Sequence, residues 1–264
     1  MNSFSESQIE KCSALILNAK SIAVLTGAGI STGAGIPDFR GPQGLYVTRR
    51  YDPEKVFDIE YFVKDPKPFY EFARDFIGFE EKIKPTFTHN YLAELERHGK
   101  LKGIVTQNID GLHQRAGSKN VLEIHGGFLT SHCLECEENF SFAVMKEKLF
   151  SEEVPSCACG GVIKPDVVFF GEDVKYLAES YALAASVDLF FVVGTSCVVH
   201  PAASVPQQTK GKIVVVNKGA VDLDLVNVVL RVEEDIDGFF REVASASDRF
   251  IEKSTEEIDK LKVV

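Results

Sequence analysis

A histidine, an amide–acid pair and four cysteines are the residues of this 264-residue chain whose types and spacing could do chemistry. His125 follows the apolar run Val121-Leu122-Glu123-Ile124. An imidazole titrates near neutral pH, so it can take a proton from a hydroxyl in a transition state. Asn108 and Asp110, in Thr106-Gln107-Asn108-Ile109-Asp110, also follow an apolar run. Taken singly, the histidine also reads as a structural one and the Asn-x-Asp as an Asx turn. The cysteines are more specific. Cys133-x-x-Cys136 and Cys157-x-Cys159 make two close pairs, and four thiolates suit tetrahedral Zn²⁺ with no open position left for catalysis. The metal is therefore expected to be structural, tying together a polar segment too poor in apolar residues to fold alone. The second pair is tighter than the common two-residue spacing, and His132 is the alternative to one of the four thiolates. Cys12, on an apolar helical stripe with Ile9, Leu15 and Ile16, and Cys197, after a strand, read as packed thiols.

A glycine-rich run, Thr26-Gly27-Ala28-Gly29-Ile30-Ser31-Thr32-Gly33-Ala34-Gly35-Ile36-Pro37-Asp38-Phe39-Arg40, follows the apolar strand pattern of residues 22–25. Strand, glycine turn and helix start together form a phosphate-binding arrangement, in which the backbone approaches a pyrophosphate. The third glycine comes one residue late for the dinucleotide fingerprint, and the run alone leaves a plain turn open. The acid that a hydride-transfer dehydrogenase carries about 20 residues on, at the end of a second strand, is missing from residues 46–56. Two later loops point to a nucleotide by another geometry. Gly194-Thr195-Ser196 and Asn217-Lys218 each end a buried strand with groups suited to phosphate or ribose, and Asp235-Ile236 closes a third.

These residues need elements to hold them. The chain is 45% hydrophobic and 26% charged, ordinary for a globular protein. It shows neither an 18-residue apolar run nor a basic-then-apolar leader, so the expectation is a cytoplasmic protein that meets no membrane. Its net charge of −10 argues against a nucleic-acid partner and mildly favours a basic one, such as a lysine-rich tail. Periodicity predicts helices over 5–19, 89–98, 175–185 and 236–246. Strands are predicted over 21–26, 103–106, 121–124, 167–170, 189–193, 213–216 and 228–232. Continuous apolar runs such as Leu189-Phe190-Phe191-Val192-Val193 suit parallel strands covered on both faces. The fold class is therefore α/β: a doubly wound parallel, Rossmann-like sheet plus a smaller domain. The larger domain is assigned to 1–39, 91–126 and 165–264. An aromatic-rich helical insertion (40–90) and a zinc-binding insertion (127–164) make the smaller one, with a ligand cleft between the two.

Taken in order, Gly27-Ala28-Gly29-Ile30-Ser31, Asp38-Phe39-Arg40, Gln107-Asn108-Ile109-Asp110, His125-Gly126, the paired cysteines, Phe169-Phe170-Gly171-Glu172, Gly194-Thr195-Ser196 and Asn217 resemble the sirtuins, NAD-dependent protein lysine deacylases. The resemblance spans roughly 10–245 and is to a deacetylase of bacterial or archaeal type. It implies that NAD is consumed as a co-substrate, giving free lysine, nicotinamide and O-acetyl-ADP-ribose. By resemblance His125 is the general base, with Asn108 the second catalytic residue. NAD would be held by Gly27, Ala28, Gly29, Ser31, Thr32, Gln107, Asn108, Ile109, Asp110, Gly194, Thr195, Ser196, Asn217, Lys218, Asp235 and Ile236, together with Asp38, Phe39 and Arg40. Phe39 would cover the emptied nicotinamide pocket, and Arg40 would assist in binding phosphate or ribose.

Val168, Phe169, Phe170 and Gly171 are expected to wall an apolar lysine tunnel and to offer a strand edge to an acetylated peptide. Sirtuins that prefer succinyl or malonyl lysine carry a tyrosine and an arginine three residues apart. Here Tyr70 is present, but Ala73 stands where the arginine would be, so a buried acyl carboxylate would lack its partner. Deacetylation is expected, with longer apolar acyl groups tolerated and desuccinylation poor. The same pocket would also serve protein ADP-ribosyl transfer, NAD hydrolysis or a non-enzymatic NAD sensor. Oligomeric state is left open, with a monomer favoured.

Overall fold

The computed structural model describes residues 5–37, 51–80 and 83–247. Helix α1 (Glu6–Asn18) opens on a capping box. Ser5 Oγ accepts from the Gln8 N–H, and Gln8 Oε1 accepts in return from the Ser5 N–H. Strand β1 (Ile22–Thr26) is buried throughout. The glycine run then winds as a 3-10 helix, Ala28–Ala34, closed by Gly35 at φ 92°, in place of the α-helix start its pattern suggests.

Next come α2 (Pro53–Val56), α3 (Ile59–Lys64), α4 (Lys67–Glu80), α5 (Phe87–Arg97), β2 (Leu101–Thr106), α6 (Leu112–Arg115) and β3 (Val121–Glu123). The cysteine-bearing region holds β4 (Gly126–Cys133), β5 (Asn139–Ser141), α7 (Phe142–Ser151) and β6 (Ile163–Val167). Then follow α8 (Leu177–Ala185), β7 (Leu189–Val193), a 3-10 helix Ala202–Gln208, β8 (Lys212–Asn217), β9 (Val228–Glu233) and helical residues 236–247, here α9.

Six strands form one parallel sheet in the order β3-β2-β1-β7-β8-β9. Both faces are covered, which is why its strands read as unbroken apolar runs. Ile22 and Val24 of β1, with Phe191 and Val193 of β7, pack against Cys12 and Ile16 of α1, Leu92 of α5 and Phe239 of α9. Their neighbours Ala23, Leu25, Phe190 and Val192 face the other way, onto Ala184 of α8 and Ala202 and Val205. Alternate side chains thus enter two different cores.

Sequence order reverses around β1, which pairs with β2 on one side and with β7 on the other. The carboxyl ends of β1 and β7 therefore open onto a topological switch point, the place where open α/β sheets bind ligands.

A second, antiparallel sheet runs β5-β4-β6. It shares one core with the helices after the glycine run: Phe62, Phe69, Tyr70 and Phe72 pack with Phe128, Met145, Leu149 and Phe169. Phe169 lies 4.9 Å from Phe69 and 5.2 Å from Phe62, ring centre to ring centre.

Two local expectations change. The run at 167–170 is not a strand of the large sheet. Val167 ends β6 in the small sheet, and Val168–Phe170 continue as an extended connection. Its N–H groups are spoken for: Val168 donates to His125 O, Phe169 to Glu172 Oε2 and Phe170 to Phe57 O, which the apolar pattern alone does not reveal. Residues 142–151, over which no element is predicted, form α7 with Ser141 as N-cap. Only Met145 and Leu149 of this helix are buried, too narrow a stripe for a clear periodic signal.

Candidate active site and metal centre

The loop after β1 and the loop after β7 interlock backbone to backbone. A Cβ on Gly27 would lie 2.7 Å from Thr195 Cβ, and one on Gly29 would lie 2.8 Å from Gly194 Cα. A Cβ on Gly194, which sits at φ 66°, would lie 2.4 Å from the Ile30 nitrogen. These three glycines are required by this contact between loops, whatever they also allow a ligand.

The interlocked loops floor a cavity of about 970 Å³ at the switch point. Its walls include Gly27, Ala28, Gly29, Thr32, Gln107, Asn108, Ile109, His125, Gly194, Thr195, Ser196, Asn217, Lys218, Asp235 and Ile236. Val168, Phe169, Phe170 and Gly171 form a further stretch of the same wall. Ser31 and Asp110 line a smaller adjoining cavity of about 230 Å³, which shares Ala28, Asn108 and Ile109 with the larger one. Every site residue expected from the sequence that falls in the described residues is thus brought to this pair of cavities or to the cysteine cluster below. Asp38, Phe39 and Arg40 lie outside the described residues.

Sequence reasoning missed Phe57 and His200 in the larger cavity, and Phe72, Asp75 and Phe76 in the smaller. Phe57 and Phe72 come from aromatic-rich segments whose core and cavity members carry the same residue types.

A hydrogen-bond network fixes the polar groups. Gln107, which continues β2, donates from Nε2 to Thr195 Oγ1 at 2.9 Å and from its backbone N–H to Thr26 O. The buried Asn108 donates from Nδ2 to Gly27 O and Ser31 Oγ, both at 3.2 Å. Ser31 Oγ donates in turn to Asp110 Oδ2 at 2.7 Å, while Asp110 Oδ1 caps the Leu112 N–H at 2.9 Å.

His125 Nδ1 lies 3.0 Å from Gln107 O. A carbonyl only accepts, so Nδ1 carries the proton and Nε2 keeps the lone pair. Burial pulls the His125 pKa below its ordinary value, against the raising effect of the Gln107 carbonyl, so the imidazole is neutral at pH 7. The ring is held in one tautomer as a base.

The Tyr70 and Ala73 expectation needs correction. Both are fully buried in the small core, and Tyr70 donates its hydroxyl to Ile163 O at 2.5 Å. Neither lines a cavity; α4 instead presents Phe72, Asp75 and Phe76. Tyr51, also on that wall, donates its hydroxyl to Asp75. Arg74, one residue from the expected cation, donates to the carbonyls of Leu149, Glu152 and Glu153 at the end of α7. It is committed to capping that helix.

The small sheet carries a different chemistry at the cysteines, where one Sγ from each of Cys133, Cys136, Cys157 and Cys159 lies within 4.8 Å of the others. The Cys133–Cys159 and Cys136–Cys157 sulfur pairs are 3.5 and 3.6 Å apart. A tetrahedral Zn²⁺ with bonds of about 2.3 Å needs sulfurs about 3.8 Å apart. Backbone N–H groups of Glu135 and Gly161 donate to Cys133 and Cys159 sulfurs, which suits thiolates. The cluster fits a structural zinc, and the one-residue spacing of the second pair is no obstacle. His132 is not among the ligands: its Nδ1 bonds Asp166 Oδ1 at 2.9 Å.

The fold and site define a class: a doubly wound α/β protein with its ligand cavity at the switch point, a neutral histidine in the wall and a second sheet whose four cysteines suit zinc. The model of the Sir2 family matches residues 27–201, and the chain belongs to the Sir2 family. It is 43% identical over 234 residues to an NAD-dependent protein deacetylase of Sulfurisphaera tokodaii, covering 86% of this chain and 92% of that protein. It is also 43% identical over 235 residues to one of Thermotoga maritima, covering 86% and 94%. Among solved structures, a Sir2 enzyme with a deacetylated p53 peptide and 3′-O-acetyl ADP-ribose matches at a TM-score of 0.83 and 40% identity. That match covers 90% of this chain and 98% of the other. A Sir2–p53 peptide–NAD⁺ complex matches at 0.81 and 40% identity, over 90% and 97%.

Proposed function

We infer that this chain is an NAD-dependent protein lysine deacetylase of the cytoplasm, yielding deacetylated lysine, nicotinamide and O-acetyl-ADP-ribose. The observation that carries the reading is the His125 imidazole, held neutral with Nδ1–H on Gln107 O and lying in the wall of a dinucleotide-sized cavity at the switch point. When bound, NAD supplies the ADP-ribose that receives the acyl group and the nicotinamide that leaves. The backbones of Gly27, Ala28 and Gly29, the hydroxyls of Thr32, Thr195 and Ser196, and Asn217, Lys218, Asp235 and Ile236 hold the dinucleotide. Gln107 locks two of these loops together. Ser31, Asn108, Ile109 and Asp110 hold its nicotinamide end. His125 Nε2 takes the proton of a ribose hydroxyl. Val168, Phe169, Phe170 and Gly171 wall the acyl-lysine.

In this reading residues 1–39, 91–126 and 165–264 form the NAD-binding body, and 40–90 and 127–164 the smaller one that completes the cleft. Incubation with an acetyl-lysine peptide and NAD tests it, with nicotinamide and O-acetyl-ADP-ribose expected in equal amounts. Nicotinamide release with ADP-ribose appearing on protein, or free in solution, would instead identify a transferase or an NAD hydrolase. NAD binding with no turnover would identify a sensor.

A further inference from the structure

Lys164 on β6 is only 2% exposed, and it lines neither cavity. Its Nζ donates to Val167 O at 2.8 Å and to Glu172 Oε2 at 2.9 Å, and lies 4.2 Å from the centre of the Phe169 ring. The same carboxylate oxygen accepts the Phe169 N–H at 2.7 Å, and the Glu172 N–H returns to Phe169 O at 3.0 Å. One ammonium and one carboxylate therefore close a ring around 167–172, the segment that carries Val168, Phe169, Phe170 and Gly171.

An ion pair whose ammonium is fully buried is a poor device for stability alone, because apolar residues of similar volume pack as well without the desolvation cost. What this pair supplies is a conformation. Within three residues the segment must drive Phe169 into the aromatic core, at 2% exposure, and leave Phe170 in the cavity wall at 51%. Gly171 then turns the chain at φ 94°, where a Cβ would meet Ile59 Cγ2 at 2.8 Å. From elsewhere in the chain the segment is held by the Val168 N–H on His125 O and by a short bridge of Phe170 with Phe57 and Ile59, which leave Phe169 between them to be fixed. The ammonium holds the start of the segment and the carboxylate holds its middle.

We propose that Lys164, acting through Glu172, is a positioning residue that sets the backbone of Val168–Gly171 to receive the acyl-lysine peptide. The inference rests on the deacetylase reading. Lys164 touches neither the peptide nor NAD, so its removal acts on peptide binding and spares the dinucleotide.

The test is steady-state deacetylation by the full chain, varying an acetyl-lysine peptide and NAD separately, with zinc content and thermal midpoint measured alongside. In Lys164→Met the peptide KM is expected to rise about tenfold or more, the scale of one lost charge-assisted hydrogen bond, with the NAD KM unchanged. Lys164→Arg keeps the charge and recovers part of the loss. If Lys164→Met does not fold, the double variant with Glu172→Gln buries no unpaired charge and is read against Glu172→Gln alone. It is then expected to fold with the peptide KM still raised. A folded variant with native peptide KM, or one that raises both KM values alike, overturns the proposal. A native chain that leaves acetyl-lysine untouched overturns the deacetylase reading and this inference with it, whereas an active native chain with unaffected variants overturns this inference alone.

Discussion

At the scale of single residues, the site depends on which atom of each side chain is already committed. His125 has given its Nδ1 proton to Gln107 O, so its base is Nε2. His125→Ala is expected to lower kcat/KM for deacetylation by about 10²–10⁴-fold, the usual share of a general base, while NAD binding measured by calorimetry stays near native. Because burial lowers the His125 pKa, the base form persists through neutral pH. The rate should therefore fall only on the acid side of about pH 6.5, the ordinary histidine value. A rate that begins to fall above pH 7 would contradict this. The acyl preference also turns on commitment. Arg74 is tied to three carbonyls of the α7 end, and α4 offers Asp75 to the smaller cavity. A succinyl-lysine peptide is expected to turn over at least about tenfold more slowly than its acetyl counterpart, since an acyl carboxylate finds no cation from α4. Equal rates on the two peptides would refute it.

At the scale of elements, two devices hold the site together. The first is the interlock of the loops after β1 and β7. Gly194→Ala places a methyl 2.4 Å from the Ile30 nitrogen at a backbone φ of 66°, so one loop must retreat from the other. Loss of NAD affinity by about tenfold or more is expected, with a lower unfolding midpoint, because both the strain and the clash act on the folded state. Native NAD affinity in this variant would mean that the loops can separate without harm. The second device is the metal centre between β4 and the approach to β6. Thiol-reactive release of the metal should liberate one Zn²⁺ per chain, measured with a chromophoric chelator. Deacetylation should then be lost as β4, β5 and β6 lose their staple. Retained activity after full release would show that the small sheet stands without it.

At the scale of the whole molecule, histidines buried as neutral groups make stability depend on pH. His89 and His113 pack with ring centres 4.7 Å apart and planes tilted by 56°, and His113 Nε2 bonds Thr26 Oγ1 at 2.9 Å. Burial pulls both pKa values below the ordinary one, as it does for His125. Above about pH 6.5 folded and unfolded chains are alike neutral at these positions, and the histidines add no pH dependence. As pH falls through that value the unfolded chain takes up protons that the folded chain refuses, so stability drops, by up to about 1.4 kcal/mol per histidine per pH unit. The urea midpoint should decline between about pH 6.5 and 5, above the range where most carboxylates titrate. A flat midpoint there would show that these rings take up protons without cost. Among the described residues no helix is long and apolar enough to cross a membrane.

Much of this was legible in the chain. The unbroken apolar runs of β1, β7 and β8 required a sheet buried on both faces, and the four cysteines required one another, because these signals are local and chemically specific. The motifs carrying His125, Asn108, Asp110 and the loop glycines, far apart in the chain, meet at the two adjoining cavities. The sequence could not show which atoms would be spent on the fold itself. Periodicity at 167–170 reads as a strand, yet its N–H groups are claimed by His125 and Phe57 from two other segments and by Glu172 just downstream. Tyr70 and Arg74 carry the right side chains for a carboxylate pocket, but helix α4 turns them onto Ile163 and the end of α7. Spacing determines which residues share a strand or a metal. Only the tertiary structure decides which side chains remain free for chemistry, because burial drives most polar groups to find a partner, and that partner lies wherever the packed elements happen to place it.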